Sequence, residues 1–305
     1  MAAHHRQHQL QWKWGCLSFA LCCLLLGSIF IQKNTKQATA VMYQPLNRDL
    51  QVTGQQWHQL AQEFTAKGFD TLVVQWNQYG TEEFGGSSGW LAKNIELFMN
   101  EGVDIWLGLY SDPDYFRRIH TSRENQKEYL EEYLKNAHTS YKAWGHWIER
   151  HSTNVKGIYL PFEISDYDFD TTEKREQLNA LLSGITDTYT ERLMISVYLS
   201  GQLSSEDTAK WLKSIRSQGI EVYVQDGRGT QLINDDHWAD YNNEFGCNIG
   251  VIKEAFIQTG QNPFIAKPID KDGLLKLRLD DRCNEKILFS LRYLPIPNNP
   301  LALLD

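Results

Sequence analysis

The stretch VKGIYLPFE, residues 155–163, has the clearest β-strand pattern in this chain of 305 residues. Its aliphatic and aromatic residues Ile158, Leu160 and Phe162 recur at a period of two, which is typical of one buried face of a strand. The opposite face ends in Glu163. Polar loop residues follow directly, so Glu163 is expected where a buried strand emerges into a loop, the usual location of a functional site in parallel α/β folds.

Seven further stretches have strand composition, and helical segments separate them. They are residues 42–45, 69–76, 103–110, 192–199, 220–226, 264–267 and 286–293. Segments predicted as helices include 53–67, with Thr53 as its cap, 123–150, 249–259 and 274–282, whereas 227–246 is predicted as a long irregular stretch that folds over the site. Alternation sustained to eight strands predicts the α/β class, as a single (β/α)8 barrel of the TIM type over residues 41–305, preceded by an N-terminal segment at 1–40.

Polar residues occupy the predicted inward positions at the strand ends. In a barrel, one parity of each strand faces the helices and the other faces the interior, and we assign the more aliphatic parity to the helix side. The inward residues at or near the strand ends are then Gln44, Gln75, Tyr110, Glu163, Tyr198, Gln225 and Arg292. Such a ring either closes on itself through hydrogen bonds or binds a polar ligand, and amides, phenols and a carboxylate match the hydroxyls of sugars.

Glu163 and Asp226 are the predicted catalytic carboxylates. Glu163 has a structural alternative, an ion pair with Arg292. Asp226, in the motif VQDGRG, has the wrong parity for the interior, and the glycines that follow it would have to turn it inward; otherwise it caps a turn. Weaker candidates of the same chemistry are Glu82, Glu83, Asp112 and Asp166.

Composition excludes several classes of partner and cofactor. The chain carries 38 Asp and Glu against 30 Lys and Arg, and no acidic residue lies in the first forty positions, so the remainder is more acidic than the net charge of −8. An acidic surface without a basic stripe makes nucleic acid an unsuitable partner. No histidine spacing indicates a metal site, and no phosphate-binding glycine loop or G-x-S-x-G elbow occurs, so no metal or cofactor is predicted.

Residues 15–31 form an apolar run without a charge, which predicts export. Its length lies between a signal-peptide core and a spanning helix, so a cleaved, secreted form and an anchored form are both open. Residues 38–40 resemble a small-x-small cleavage site, but cleavage there would leave no spare residues before the first strand, which favours a periplasmic domain tethered to the inner membrane. Cys247 and Cys283 remain for that domain, and the sequence alone does not decide whether they pair.

The order of four motifs resembles a bacterial family catalogued as domain of unknown function 4434. The motifs are MYQP at 42–45, LVVQWNQYG at 72–80, GIYLPFEI at 157–164 and VYVQDGRG at 222–229. The resemblance implies a glycosidase-type (β/α)8 barrel, and matched residue by residue it indicates Gln75, Trp76, Glu163, Gln225 and Asp226. One departure concerns strand seven, which ends in Lys267 in our assignment, whereas the largest group of barrel glycosidases resembles a pattern with glutamates ending strands four and seven.

These observations predict an exported glycoside hydrolase of the bacterial envelope that acts on an exopolysaccharide or similar glycan. Hydrolysis of a glycosidic bond usually needs two carboxylates, here Glu163 as general acid and Asp226 as its partner. The alternative, which Lys267 at the end of strand seven favours, is a membrane-tethered protein that binds glycans without cleaving them. A third possibility is a scaffold, which predicts a polar ring with no cleft.

Overall fold

Eight parallel strands close into a barrel, as the sequence predicts. The computed structural model describes residues 39–302 apart from 121–122, 232, 261–264 and 280–281. In chain order the barrel strands are β1 (Ala40–Tyr43), β2 (Thr71–Val74), β3 (Asp104–Gly108), β4 (Val155–Ser165), β5 (Arg192–Tyr198), β6 (Ile220–Gln225), β7 (Gly250–Glu254) and β8 (Lys286–Phe289). Each strand pairs with its neighbours in the chain, and β8 pairs with β1 to close the barrel.

Helices on the outside connect successive strands. Their bounds are Gly54–Ala66, Trp90–Asn100, Tyr115–Ile119, Arg123–Arg150, Thr172–Ile185, Ser205–Arg216, Asp235–Phe245 and Lys271–Arg278, with short 3-10 helices at Asn47–Gln51, Gly86–Ser88, Thr186–Thr188 and Leu291–Tyr293. The predicted cap of the first helix is confirmed, because the Thr53 hydroxyl accepts from the Gln56 amide while the Gln56 side chain accepts from the Thr53 amide. This reciprocal pair satisfies two donors that a helix N-terminus otherwise leaves unpaired.

The barrel interior is filled by side chains, one from each strand. They are Met42, Val73, Trp106, Tyr159, Met194, Tyr223, Ile252 and Ile287. Gly157 makes room for the largest of them, since a Cβ at that position would overlap the indole ring of Trp106. The aliphatic residues of the opposite parity, Ile158 and Leu160 among them, pack against the helices instead. The prediction of which residues face the barrel interior therefore holds for β1 to β6.

The region from 246 to 268 differs from the prediction. The segment predicted as a helix, 249–259, contains barrel strand β7 and then the strand Phe256–Gly260, which pairs antiparallel with Ile265–Pro268. The predicted seventh strand, 264–267, is therefore the return strand of a hairpin outside the barrel, and its assignment to the barrel was wrong. Lys267 does not end a barrel strand, and Glu254 ends β7 instead.

Two boundaries also need correction. Part of the stretch predicted as irregular, 227–246, forms the helix Asp235–Phe245. Asn234 caps this helix, since its side chain accepts from the His237 amide. At the other end, β8 stops at Phe289 and the chain turns into a 3-10 helix. Ile287 and Phe289 face the interior, so the inward residues of β8 are odd-numbered, and the prediction of Arg292 as an inward residue of this strand was wrong.

Cys247 and Cys283, left open by the sequence, form a disulfide with their Cα atoms 5.1 Å apart. Cys247 precedes β7 and Cys283 precedes β8, so the bond joins the amino ends of two neighbouring strands. None of the helices in the part of the chain that the structure describes is long and apolar enough to span a bilayer. The apolar run at 15–31, with the predicted anchor, lies outside the described residues.

Candidate active site

Strands β4 to β7 end around a cavity of about 300 Å³. Its walls are formed by Phe116, Glu163, Tyr198, Leu199, Gln225, Gly227, Thr230 and Glu254. The cavity lies at the carboxyl ends of the strands, where ligands bind in barrels of this type. Two of its residues are glutamates, one near the end of β4 and one at the end of β7, with β5 and β6 between these strands.

Glu163 lies in the irregular end of β4. The pairing between β4 and β5 shifts register between Leu160 and Ile164, so Glu163 leaves the regular ladder just where the strand reaches the cavity. The side chain is half-buried by surface area, yet protein atoms surround the carboxyl closely, and this burial raises the pKa of Glu163 to about 7. Within the described residues its carboxylate has no hydrogen bond or ion pair. A carboxyl in this setting holds its proton near neutral pH.

Phenol groups lie close to Glu163. After burial, the negative charge of Glu163 is the next cause that raises the pKa of Tyr159, in the barrel interior below it, and of Tyr79, in the loop after β2. It also raises the pKa of Tyr198, more weakly than burial does. These phenols stay protonated at neutral pH and are available as hydrogen-bond donors.

Glu254 ends β7 and faces the same cavity from the other side. Its side chain is 7% exposed, and Oε2 accepts from the amide of Thr230 at 2.8 Å and from the Thr230 hydroxyl at 3.3 Å. Burial raises the pKa of Glu254, while the amides of Thr230 and Gly229 lower it. The loop after β6 therefore holds the Glu254 carboxylate in place, and its amides stabilise the ionised form of that group. No hydrogen bond from a described residue stabilises ionised Glu163 in the same way.

Asp226 follows β6 and lies behind the wall of the cavity. It is 1% exposed, and its Oδ1 accepts from the backbone amides of Glu254 at 3.2 Å and Arg228 at 3.3 Å. Burial, and next the charge of Glu254, raise the pKa of Asp226 to about 7. The bond from the Arg228 amide is that of a turn cap, which is the alternative role for Asp226, and the side chain is absent from the cavity wall, so its catalytic role remains a prediction.

The other predicted binding residues divide into two groups. Tyr198 and Gln225 line the cavity beside Glu163. Gln44, Gln75, Trp76 and Tyr110 lie at the ends of β1, β2 and β3, on the same face of the barrel but outside the cavity wall.

Within this second group, Trp76 is buried and donates from Nε1 to the carbonyl of Pro45 at 3.1 Å. Gln75 is also buried, and its Oε1 has no hydrogen-bond partner among the described residues. Neither side chain is open to a ligand in the cavity, so their binding roles remain predictions.

Arg292 is not part of the polar ring. Its guanidinium forms a buried ion pair with Asp49, 2.8 Å from Oδ1, and donates to the carbonyl of Leu301 at 2.7 Å. Asp49 in turn accepts from the hydroxyl of Tyr43. The ion pair between Arg292 and Glu163 that the sequence left open is replaced by this cluster, which ties the end of the chain to the loop after β1.

Glu254 is the main residue that sequence reasoning missed. Ile249, Ile252 and Phe256 recur at helical spacing, which hid the strand. The alternation was masked because Lys253, at an outward position, is buried and donates from Nζ to the carbonyl of Leu277. The usable signals were the glycine at 250 and the β-branched residues Ile249, Val251 and Ile252, which favour a strand.

A model of the family described as Domain of unknown function (DUF4434) matches residues 29–300. The uncharacterized protein YbcH of Escherichia coli (strain K12) is 29% identical over 296 residues, which cover 93% of this chain and 98% of the relative.

Two solved structures extend the comparison to the fold. One is a protein from Bacteroides thetaiotaomicron provisionally assigned as an alpha-L-fucosidase, with 16% identity, a TM-score of 0.53 and coverage of 89% of this chain and 94% of the other. The other is the spore cortex-lytic enzyme SleL of Bacillus cereus, with 10% identity, a TM-score of 0.48 and coverage of 88% and 75%. At 16% identity the likeness to the Bacteroides protein concerns the fold alone.

Proposed function

The chain belongs to the family described as Domain of unknown function (DUF4434), and we propose that its barrel hydrolyses glycosidic bonds in a bacterial exopolysaccharide or similar glycan. The observation that carries the proposal is the pair of strand-end glutamates, Glu163 on β4 and Glu254 on β7, in the walls of one cavity. Most glycosidases work with two carboxylates on either side of the scissile bond.

The surroundings of the two glutamates assign their roles. Glu163, whose pKa burial raises to about 7, carries a proton near neutral pH and donates it to the leaving oxygen as general acid. Glu254, held by the amide and hydroxyl of Thr230, is the ionised partner that attacks the sugar or activates a water. Asp226 fixes the backbone of Glu254 and supplies a third carboxyl at its back.

Two further observations support the proposal. The protein provisionally assigned as an alpha-L-fucosidase has the same barrel fold, which makes glycoside hydrolysis a chemistry that this architecture accommodates. The disulfide between Cys247 and Cys283 supports an oxidising compartment, because such bonds rarely persist in the bacterial cytoplasm. We therefore retain export as part of the proposal, with residues 15–31 as the tether to the inner membrane or, if cleaved, as a signal for secretion.

The alternative is a tethered protein that binds glycans without cleaving them. Lys267 at the end of the predicted strand seven favours this alternative. However, β7 ends in Glu254, and Lys267 lies in the hairpin outside the barrel. The scaffold alternative predicts a closed ring, and a cavity with two glutamates in its walls counts against it. Cleavage of a glycan by the wild-type protein would distinguish hydrolysis from the glycan-binding and scaffold alternatives.

The test is to incubate the purified full-length protein with a panel of neutral poly- and oligosaccharides and to measure new reducing ends and binding. We expect cleavage by the wild type and a loss of about 10²- to 10⁴-fold in Glu163→Gln and in Glu254→Gln, the range for removal of a general acid or base. Glu221→Gln is the matched control, since Glu221 is also a partly buried glutamate of raised pKa, but it is the second residue of β6, at the opposite end of the barrel.

The control should cleave at close to the wild-type rate. Cleavage that is unchanged in Glu163→Gln would remove the mechanism. Binding by the wild type without any cleavage would favour the glycan-binding alternative.

A further inference from the structure

Two aromatic rings project into solvent beside the cavity. Tyr79, in the loop after β2, is 39% exposed, and Phe116, in the helix after β3, is 56% exposed. Phe116 also forms part of the cavity wall together with Glu163. An exposed ring next to a polar cavity costs solvation free energy in the free protein, and such surfaces often mark binding sites.

Both rings are held rigidly from behind. Tyr79 stacks on Trp76 with ring centroids 4.8 Å apart and an angle of 29° between the planes, and Trp76 is itself fixed by its bond to the Pro45 carbonyl. Phe116 meets Tyr115 edge-on at 5.7 Å and Tyr198 at 6.3 Å. Rings that are immobilised before binding lose little entropy when a ligand stacks on them.

The two loops that carry these rings lie side by side. The amide of Gly80 donates to the carbonyl of Ser111 at 2.8 Å, and Gln78–Tyr79 pairs in parallel with Tyr110–Ser111. Tyr79 is also near enough to Glu163 for the charge of that carboxylate to raise the pKa of the phenol, after the larger effect of burial. The rings therefore border the cavity on its β2–β3 side, next to the proposed general acid.

The charge of the cavity restricts the ligand. Two carboxylates face it, a third lies behind it, and its wall contains no Lys or Arg among the residues that the structure describes. A glycan rich in uronic or sialic acids would meet like charge here without a counter-ion, whereas a neutral glycan meets hydroxyl-matching amides and phenols. At about 300 Å³ the cavity is also at the small end of ligand sites, which suits a single sugar unit.

We propose that Tyr79 and Phe116 form a stacking surface for the sugar rings of a neutral glycan chain that leaves the cavity on the β2–β3 side, so that the protein recognises a chain and not an isolated sugar. The inference rests on the proposed function for the unit in the cavity, but it concerns binding and is tested without cleavage.

The test measures affinity by calorimetry for neutral cello-, chito- and malto-oligosaccharides, from monomer to hexamer. Full-length protein carrying Glu163→Gln is used, so that no bond is broken during the titration. We expect affinity to rise with chain length in at least one series. We expect Tyr79→Ala and Phe116→Ala, each added to this background, to lower the hexamer-to-monomer affinity ratio about ten-fold, the effect of losing one well-packed aromatic contact.

Leu279→Ala is the matched control, because Leu279 is 58% exposed but lies by the Arg278 contact to Lys67, at the amino ends of the strands. The hexamer-to-monomer affinity ratio of this variant should equal that of the protein carrying Glu163→Gln alone. Equal affinity for monomer and hexamer in every series, no binding at all, or a ratio that neither ring substitution lowers would overturn the inference.

Failure of the proposed function gives a different result. Length-dependent binding that requires the two rings, together with no cleavage by the wild type, sustains the inference and removes hydrolysis. Cleavage of glycans by the wild type without length-dependent binding sustains the proposed hydrolysis and overturns the inference of a stacking surface.

Discussion

Glu163 lies in the wall of the cavity, and no described residue forms a hydrogen bond with its carboxyl. The burial that raises its pKa to about 7 is a cost to the folded protein whenever the group is ionised. The unfolded chain ionises near pH 4.3, so the folded state binds the proton more tightly between about pH 4.3 and 7. Stability linked to this group is therefore full below that window, falls as pH rises through it, and is constant above it.

Replacing this carboxyl should stabilise the protein at alkaline pH. Glu163→Gln keeps the shape of the side chain and removes the buried charge, so we expect its free energy of unfolding to exceed the wild-type value at pH 8 by about 3 to 4 kcal/mol. At pH 4 the two proteins should be nearly equal. Denaturant titrations at both values measure the difference, with the exposed Glu149→Gln as control. An equal or lower stability of Glu163→Gln at pH 8 would show that Glu163 is ionised without penalty.

Alternation in the sequence located the cavity residues that end β5 and β6, and it also located Glu163 although the β4 ladder is irregular there. Glu163, Tyr198 and Gln225 were all predicted from alternation, and all three line the cavity. Arg292 was misplaced because the chain leaves the strand after Phe289, and its buried partner Asp49 is 243 positions away. Pairings over such separations depend on the closed barrel and leave no local pattern.

The loop after β6 and strand β7 form the element on which the second glutamate depends. Gly229 packs directly against β7, because a Cβ there would be 2.6 Å from the carbonyl oxygen of Phe256 and 2.9 Å from Cβ of Glu254. The amide of Gln258, in the hairpin, donates to the carbonyl of Gly229 at 2.8 Å. The loop, the strand and the hairpin are thus joined at the point where Glu254 meets Thr230.

Gly229→Ala should disturb the site more than the fold. The added methyl group forces the loop away from β7, which moves Thr230 from Glu254, and a displacement of about 1 Å in an active site costs up to about 10²-fold in rate. We expect kcat/KM on the cleaved glycan to fall toward that limit while the barrel remains folded by circular dichroism. Gly145→Ala is the control, since its Cβ meets nothing within 4 Å in the helix Arg123–Arg150 and should raise stability by about 0.5 to 1 kcal/mol. Wild-type kcat/KM in Gly229→Ala would separate the loop from the reaction.

The elements that the sequence predicted well are those with a strong local signal. The strands from 69–76 to 220–226 and the long helix ending at Arg150 match their predicted positions within a few residues. Strand β7 was missed because its outward lysine is buried through a bond to a helix carbonyl, so that polarity no longer marks the exposed face. The hairpin that follows it supplied the false seventh strand, which also produced the apparent departure from the glycosidase pattern.

A disulfide links two neighbouring segments at the amino end of the barrel. The disulfide between Cys247 and Cys283 spans 36 positions and joins the segments that enter β7 and β8, at the end of the barrel opposite the cavity. A bond that closes a loop of this length contributes about 3 to 4 kcal/mol by restricting the unfolded chain. Its distance from the cavity separates its effect on stability from any effect on the reaction.

Removing the disulfide should lower stability and spare catalysis. We expect the double variant Cys247→Ser, Cys283→Ser to lose about 3 to 4 kcal/mol of unfolding free energy, and to keep kcat/KM at temperatures where it remains folded. Chemical reduction of the wild type should give the same loss. A double variant as stable as the oxidised wild type would mean that the two cysteines are not bonded in solution.

Glu254, and not Asp226, is the proposed partner of Glu163 in the cavity. The most direct measurement is the rate of reducing-end release by Glu254→Gln and by Asp226→Asn, side by side on the glycan that the wild type cleaves. Asp226→Asn keeps the oxygen that accepts from the Glu254 amide, so we expect it to retain activity within about ten-fold of the wild type, whereas Glu254→Gln should lose about 10²- to 10⁴-fold. The reverse order, with Asp226→Asn inactive and Glu254→Gln active, would contradict the assignment and return the second catalytic role to Asp226.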